Sequence, residues 1–440
     1  MLTFLVTLFK SCVKLLSIYT DNKIWIMGIL GFSSGLPLLL TGSTLVIRLD
    51  SLGITYTKIG LLSIATLPYS FKFIWAPLID KIQIPLFYRF LGRRRSWLFA
   101  SQIILTISLF VISLIKPEKN LTILIFLVFI ITFSSATQDI VILAYQAERL
   151  KKYQFGAGEA ISIFGYRIGI LISGAGSLYL STFLNWNEIY FIMSLFSIIG
   201  IITTLLINEP NNKRKQIKFN CKSKLKNPQK NPNIIQDMIL PFIDFIKKPQ
   251  WYIIICIMIF YKLNDNLIGS MSNLFYLELG FSKIEIANAS KIFGMWATII
   301  GGLIGGIIIS RIDILKSLLI FGLLHGVSIL MYILLAKLDG GKLLLYTSIT
   351  LENITGGMRT TALFAFQFTL CNTAYAATQL ALLSSCVNFG RTICSSTSGL
   401  LIDTLGWINF FYLATLSTIP SLIPIILLLI YNKKTSKKKL

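Results

Sequence analysis

Seven ionisable side chains lie well inside long apolar stretches of this 440-residue chain: Asp139, Arg167, Lys262, Asp265, Glu352, Arg359 and Arg391. A charged group at the centre of a lipid bilayer costs on the order of 2.5 to 3.5 kcal/mol on insertion scales, so such groups normally face a protein interior or a water-filled cavity. Carboxylates in that position can carry protons, and basic groups can attract an anion. Because the basic groups outnumber the acidic ones, we expect a neutral or positive cavity that favours an anionic solute.

Asp139 has the pattern best suited to reversible protonation. It shares one polar side of a predicted helix with Ser134, Ser135, Gln138, Tyr145 and Gln146. No basic residue stands three or four positions from Asp139, and burial disfavours the charged form of a carboxylate. The alternative is a static pair with a basic residue of another helix, such as Arg167. Lys72 lies about two turns from the end of its span and is expected to extend to the bilayer surface.

Two further apolar stretches each hold an acidic and a basic residue. Lys262 and Asp265 are three positions apart, close enough to pair along a helix, and the alternatives are an internal pair or a functional site. Glu352 and Arg359 are seven positions apart, a rise of roughly 10.5 Å, so they share a helix face without touching readily.

The next apolar stretch carries a polar stripe that either lines a cavity or forms helix–helix hydrogen bonds: Ser384, Asn388, Arg391, Ser395 and Ser398. Arg359 and Arg391 are expected to bind carboxylates of a solute, because the planar guanidinium stays charged and can bind a carboxylate through two hydrogen bonds. The alternative is a static acidic partner for each arginine, with Glu352 the obvious partner of Arg359.

The elements that must position these groups are membrane-spanning helices. With 55% hydrophobic and 13% charged residues and a mean hydropathy of +0.74, the composition excludes an ordinary soluble globule. A span needs about 20 mostly apolar residues to cross roughly 30 Å of hydrocarbon. Twelve stretches meet this requirement: 24–47, 57–78, 96–115, 121–148, 156–183, 186–208, 251–277, 284–310, 314–336, 342–370, 376–403 and 407–431.

The charge distribution predicts the topology of these spans. The chain has 41 Lys and Arg against 18 Asp and Glu, and the basic residues concentrate at both termini and after spans 2, 4, 6 and 8. Cytoplasmic connections collect Lys and Arg, so both termini are predicted to be cytoplasmic. The high net charge is thereby explained without nucleic-acid binding.

A weak internal repeat predicts two pseudo-symmetric halves of six helices each, with a site at their interface. The Ala-Tyr-Gln sequence at 144–146, for example, resembles Ala-Phe-Gln at 365–367. Glycines at four-residue spacing, such as Gly31 with Gly35 and Gly165 with Gly169, predict close helix packing. The chain is divided into an amphipathic segment at 1–20, a first bundle at 21–208, a basic cytoplasmic linker at 209–250 that could form a surface helix over 233–246, a second bundle at 251–431 and a basic cytoplasmic tail at 432–440.

No enzyme or cofactor chemistry is predicted. The chain contains no GxxxxGK[ST] sequence, and its six cysteines form no CxxC pair. The single histidine, His325, cannot build a metal cluster with them and is expected to serve packing. No cofactor, metal ion or nucleic acid is therefore expected, and the protein is predicted not to be an enzyme.

The connection between spans 2 and 3 contains Asp80-Lys81 and, after an insertion, the sequence Gly92-Arg93-Arg94-Arg95. This pattern is similar to the GxxxD[RK]xG[RK][RK] signature of the major facilitator superfamily. The resemblance implies a gate, in which the basic residues pair with acidic partners and hold the cytoplasmic helix ends in one state.

Longer segments look like the AmpG muropeptide permeases over about residues 24–430. They include GFSSGLPLLLTG at 31–42, FKFIWAPLIDK at 71–81, SATQDIV at 135–141, GAGEAISIFGYRIG at 156–169, FYKLND at 260–265 and LENITGGM at 351–358. The resemblance implies a proton-coupled inner-membrane transporter that imports GlcNAc-1,6-anhydroMurNAc, with or without its peptide, and that works as a monomer among membrane lipids.

The same resemblance implies roles for particular residues. Asp139 is the leading candidate for proton coupling, with Asp265 and Glu352 as further candidates. Substrate binding falls to Gln138, Arg167 and Lys262, and the residue patterns add Arg359, Asn388 and Arg391.

Two departures from the AmpG pattern increase the expected positive charge of the cavity. Leu143 stands where family members carry a second Asp, and Arg359 replaces a small residue. Carriers of another anionic solute such as acetyl-CoA remain an alternative, and so does a membrane sensor or scaffold that transports nothing.

Overall fold

The computed structural model describes residues 17–52, 65–117, 119–210, 234–338 and 341–437. Within these ranges every regular element is a helix, as the sequence predicted. Most of the predicted amphipathic segment at 1–20 and of the basic linker lies outside the described residues, as does the end of the tail.

The first ten α-helices belong to the predicted first half of the chain. They are Asn22–Leu40 (α1), Ser43–Ser51 (α2), Pro68–Phe71 (α3), Ala76–Lys81 (α4), Pro85–Leu91 (α5), Arg93–Leu114 (α6), Leu121–Arg149 (α7), Phe155–Leu171 (α8), Ser177–Leu180 (α9) and Trp186–Leu206 (α10). A π-helical turn, Ile172–Gly176, joins α8 to α9.

Nine α-helices follow. They are Ile234–Ile246 (α11), Trp251–Phe260 (α12), Leu263–Glu278 (α13), Lys283–Ile286 (α14), Gly294–Ile309 (α15), Ile314–Lys337 (α16), Gly341–Leu370 (α17), Ala376–Leu416 (α18) and Thr418–Lys437 (α19). The predicted surface helix at 233–246 is present as α11. Gly406, with φ of 72°, breaks the regular backbone inside α18 at the predicted turn between spans 11 and 12.

Nine of the described helical stretches are long and apolar enough to cross a membrane. They correspond to predicted spans 1, 3 to 9 and 12. Span 2 begins in residues outside the described ranges. Spans 10 and 11 are helical, as α17 and the first part of α18, but both helices are rich in polar residues. The outer faces expose large apolar side chains such as Phe126, Leu323 and Val327, as expected of helices that meet lipid.

Glycines bring the central helices into backbone contact, as their spacing predicted. A Cβ on Gly165 of α8 would lie 1.7 Å from the Gly28 carbonyl oxygen of α1, and one on Gly301 of α15 would lie 2.0 Å from the Ile354 carbonyl oxygen of α17. Larger residues would separate these helix pairs. The glycines thus set how closely the helices around the centre of the molecule approach one another.

Candidate functional site

A cavity of about 630 Å³ lies between helices of the first and second halves of the chain. Helices α1, α7 and α8 form one side, and α13, α17 and α18 form the other. Its charged lining consists of Lys72, Asp139, Glu159, Arg167, Lys262, Asp265 and Arg391. Five of the seven ionisable residues singled out from the sequence therefore meet at one site.

Asp139 faces this cavity from α7. The Ser34 hydroxyl of α1 donates a hydrogen bond to its Oδ1 at 2.5 Å. Lys72 is the principal cation acting on the Asp139 carboxylate, although the two side chains are not within ion-pair distance. Arg167, the partner considered from the sequence, does not form that pair. Lys72 is only 7% exposed and lines the cavity, so the expectation that it extends to the bilayer surface was wrong.

A charge network on the other side of the cavity centres on Asp265. The Asp265 Oδ1 lies 2.8 Å from Arg359 Nη1 and contacts the Nε2 of His325, while its Oδ2 lies 3.7 Å from Lys262 Nζ. Three basic groups therefore surround one carboxylate. His325 contacts this carboxylate, so the expectation that it serves packing alone missed its polar neighbour.

Arg359 is fully buried, and its guanidinium forms further contacts. Its Nη1 also donates to Asn264 Oδ1 at 2.8 Å, and its Nη2 donates to the Tyr261 carbonyl oxygen, at the break between α12 and α13. The guanidinium also lies 4.6 Å from the centroid of the Tyr261 ring. Its acidic partner is Asp265 of the neighbouring helix α13. The expected partner, Glu352, lies on α17 together with Arg359 and does not form this pair.

Besides Lys72, three cationic side chains give the cavity its basic character. Arg167 from α8, Lys262 from the start of α13 and Arg391 from α18 all line it. Lys262 Nζ donates to Thr360 Oγ1 at 2.7 Å. Within the described ranges, no carboxylate lies within ion-pair distance of Arg167. Asn388 lies one turn before Arg391 and also lines the cavity. This arrangement can bind an anion between the two halves.

Three of the sequence candidates do not line the cavity. Arg359 is 0% exposed and Gln138 is 1% exposed. The Gln138 Nε2 has no hydrogen-bond partner in the described part of the chain. Glu352 accepts a hydrogen bond from the side-chain nitrogen of Asn353 at 2.8 Å and is not among the residues that line the cavity. The spacing of seven residues predicted that Glu352 and Arg359 share one face of their helix. It could not show which neighbouring helix each side chain contacts.

The predicted gate residues meet at the end of the bundle where the connections 82–92, 150–154 and 207–210 lie, called here the basic end. Arg94 Nη2 lies 2.8 Å from Asp80 Oδ1 and 2.6 Å from Glu148 Oε1. Arg93 Nη1 donates to the Asp80 carbonyl oxygen at 2.7 Å. Lys81 is exposed. Two carboxylates thus hold Arg94 in a buried cluster.

The start of α6 is fixed by Glu209. Its carboxylate accepts hydrogen bonds from the backbone N–H groups of Arg94, at 2.8 Å, and Arg95, at 3.1 Å. Burial raises the pKa of the Glu209 carboxyl, and these hydrogen bonds act in the opposite direction. Gly92, the residue immediately before α6, has φ of 82°. A Cβ at this position would lie against the Glu209 side chain, so the position requires glycine. The Arg95 side chain donates to the carbonyl oxygens of Thr204 and Leu205 at the end of α10.

Asp80 also joins the two halves of the chain. Its Oδ2 accepts hydrogen bonds from the backbone N–H and the hydroxyl of Thr378, at 2.8 and 2.7 Å, at the start of α18. The positive end of the helix dipole stabilises a carboxylate in this place. Nearby, Phe155 of α8 contacts Phe368 of α17, with ring centroids 5.4 Å apart. These contacts close the cavity at the basic end.

Asp80→Asn is expected to weaken this closure, because hydrogen bonds to a charged group contribute roughly 1.5 to 3 kcal/mol each. The open population at the basic end should rise about ten- to a hundredfold. The measurement is the alkylation rate of Cys371, which is half-buried at that end, in a variant without the other five cysteines. Asp313→Asn is the control, since Asp313 caps α16 and Asn is an equally good cap. Equal alkylation rates in wild type and Asp80→Asn would contradict the gating role.

Comparison with known proteins gives one consistent family. A profile of the Major Facilitator Superfamily matches residues 26–393. The chain is 38% identical over 412 residues to "Putative transporter AmpG 1" of Rickettsia conorii, covering 92% of this chain and 97% of that protein. It is 36% identical over 410 residues to "Anhydromuropeptide permease" of Escherichia coli K12, covering 93% of this chain and 80% of that protein.

Solved structures agree at the level of the fold. A crystal structure of the superfamily transporter FucP in the outward conformation matches with a TM-score of 0.68 at 12% identity, covering 93% of this chain and 99% of that one. The human organic anion transporter MFSD10 matches with a TM-score of 0.60 at 12% identity, covering 93% of this chain and 98% of that one.

Proposed function

This chain belongs to the major facilitator superfamily, whose members are transporters and not enzymes, and we propose that it imports anhydro-muropeptides by coupling to protons. The identity to anhydromuropeptide permeases supports GlcNAc-1,6-anhydroMurNAc, with or without its peptide, as the cargo. The single observation that carries the mechanism is the cavity between the two halves, which three carboxylates and four cationic side chains line above a closed end.

The cargo chemistry fits this cavity. Its volume, about 630 Å³, falls within the range of roughly 300 to 1,000 Å³ that is usual for small-molecule sites. Peptide carboxylates of the cargo bind Arg167, Lys262 and Arg391, while hydroxyl and acetamido groups of the sugars bind uncharged polar groups such as Asn388. Arg359 pairs with the Asp265 carboxylate and stabilises the break between α12 and α13. Its contribution to substrate binding is therefore indirect.

Asp139 couples transport to protons in this proposal. In its charged form it accepts the hydrogen bond from Ser34 and attracts the Lys72 ammonium, which lines the same cavity. Protonation removes its attraction for Lys72 and changes the cavity's net charge by one unit. Glu352 is left as a weaker candidate for this role, because it does not line the cavity, and Asp265 as the weakest, because Arg359 and Lys262 stabilise its charge.

In alternating access, such a cavity opens at one end while its other end is closed. We assign the two bundles to 21–208 and 251–431 with twelve spans in all, acting as a monomer in the inner membrane, with the basic end and both termini cytoplasmic. Breaking the contacts of Asp80 with the start of α18 then opens the cavity to the cytoplasm.

The test of the function is uptake of radiolabelled anhydro-muropeptide into right-side-out membrane vesicles, with and without an imposed pH gradient. Accumulation that requires the gradient is the expected result. Uptake of radiolabelled acetyl-CoA, with no uptake of muropeptide, would identify acetyl-CoA as the cargo instead. Absence of uptake of either solute would favour a sensor or scaffold.

The topology carries its own prediction. Single cysteines introduced between Lys213 and Lys230, or between Lys433 and Lys439, are expected to resist an impermeant thiol reagent added to intact cells, because both basic segments are assigned to the cytoplasm. Both sites should react after the membrane is permeabilised. Labelling of either segment in intact cells would reverse the assigned orientation.

A further inference from the structure

One buried carboxyl group in the cavity has no role in the transport scheme above. Glu159 is 4% exposed and lines the cavity from the first turns of α8. Gln146 of α7 donates a hydrogen bond from its Nε2 to Glu159 Oε2 at 3.2 Å. A carboxyl group this buried needs either a charge partner or a proton.

The structure provides no charge partner for Glu159 among the described residues. The cations that line the same cavity, Lys72, Arg167, Lys262 and Arg391, all lie beyond ion-pair distance of it. The helices packed against this part of α8 are α1, α7, α15 and α17. Their charged residues are Lys23 at the start of α1, Asp139, Glu148 and Arg149 of α7, and Lys342, Glu352 and Arg359 of α17, and the sequence of α15 has none.

Gln146 is a partner that suits both protonation states of Glu159. Its side-chain amide can donate to a carboxylate and can accept from a carboxylic acid. Its Oε1 is buried and has no hydrogen-bond partner in the described part of the chain, so an acceptor stands beside Glu159 ready for a protonated carboxyl. A lysine or arginine in place of Gln146 would hold Glu159 ionised, whereas the neutral amide of Gln146 allows Glu159 to bind and release a proton.

The position of Glu159 places it at the closed floor of the cavity. Phe155, one turn earlier in α8, contacts Phe368, and a Cβ on Gly156 would lie 3.2 Å from the Gly306 Cα. Gln146 follows Asp139 by seven residues, roughly 10.5 Å along α7 towards the basic end. Glu159 therefore lies between Asp139 and the contacts that must separate when the basic end opens.

From this geometry we infer that Glu159 is a second proton-binding site of the transport cycle. It takes up a proton from cavity water while the basic end is closed, becoming a neutral carboxylic acid. When Phe155 and Phe368 separate, the carboxyl group meets water at the basic end and releases that proton as H⁺. The inference rests on the proposed proton-coupled transport and adds a residue to it.

The test compares proton-to-substrate ratios of wild type and Glu159→Gln in proteoliposomes, from the pH gradient that just balances a known substrate gradient. The variant is expected to move one proton fewer per substrate while keeping gradient-independent substrate exchange. Glu159→Asp should restore the wild-type ratio at a lower rate. Glu188→Gln is the matched control, because Glu188 lies at the start of α10, at the end of the bundle opposite the basic end, and Gln retains its cap.

The outcomes separate this inference from the proposed function. A wild-type protein without a proton requirement contradicts the proposed function. A coupled wild type whose ratio is unchanged in Glu159→Gln contradicts only the role of Glu159. If the variant does not insert, the wild-type protein is treated with a hydrophobic carbodiimide, which reacts with protonated carboxyl groups, and is analysed by mass spectrometry. Modification of Glu159 that declines as pH rises supports the inference, and an absence of modification at every pH contradicts it.

Discussion

Asp139→Asn is expected to abolish accumulation of substrate against a concentration gradient while leaving slow exchange of substrate across the membrane. The amide keeps the size of the side chain and can still accept the hydrogen bond from Ser34, but it cannot bind and release a proton. Because Asp139 is assigned as the group whose change of charge couples transport to protons, the variant should equilibrate its substrate without concentrating it, even though Glu159 is still present. Uptake and counterflow in the same vesicle preparation measure the two activities separately.

Asp403→Asn is the control for this substitution, since it makes the same chemical change on an exposed side chain of α18. It should accumulate substrate as the wild type does. Asp139→Asn that still concentrates substrate to the wild-type level would remove Asp139 from proton coupling. Loss of both accumulation and counterflow, with normal amounts of protein in the membrane, would assign Asp139 to substrate binding instead.

Neutralising Arg391 or Arg167 is expected to weaken binding of the peptide-bearing cargo by about ten- to a hundredfold. Each side chain lines the cavity, and loss of one charge-assisted hydrogen bond costs roughly 1.5 to 3 kcal/mol. Lysine at either position keeps the charge but loses the planar fork, so Arg391→Lys should be intermediate. Competition binding with a peptide-bearing anionic cargo and a neutral sugar analogue provides the measurement, and the neutral analogue should lose much less affinity.

Arg359→Gln separates binding from structure. Arg359 is buried against Asp265, and removal of one member of a buried ion pair costs roughly 3 to 5 kcal/mol. This variant should lower the melting temperature of the purified protein and weaken both cargoes alike. If Arg391→Gln also lowered the melting temperature and affected both cargoes equally, Arg391 would be a structural residue and the anion site would lie elsewhere.

The sequence determined the helices and the polar faces that they carry. Apolar stretches of span length set the positions of α1, α7 and α8, and glycine spacing indicated the close contact of α1 with α8. The periodicity of one helix also placed Asp139 on a polar face. These properties depend on neighbours three and four residues apart, so they can be read from the chain itself.

The tertiary structure decided which charges meet. It paired Arg359 with Asp265, which also contacts His325, instead of with Glu352, and it brought Lys72 to the cavity. Glu159 received Gln146 as its partner, and Asp80 received the start of α18, almost three hundred residues away. Contacts of this kind depend on how helices rotate and pack against one another. A spacing pattern specifies the face of one helix but not the helix that this face will meet, because packing is set by side chains of both partners.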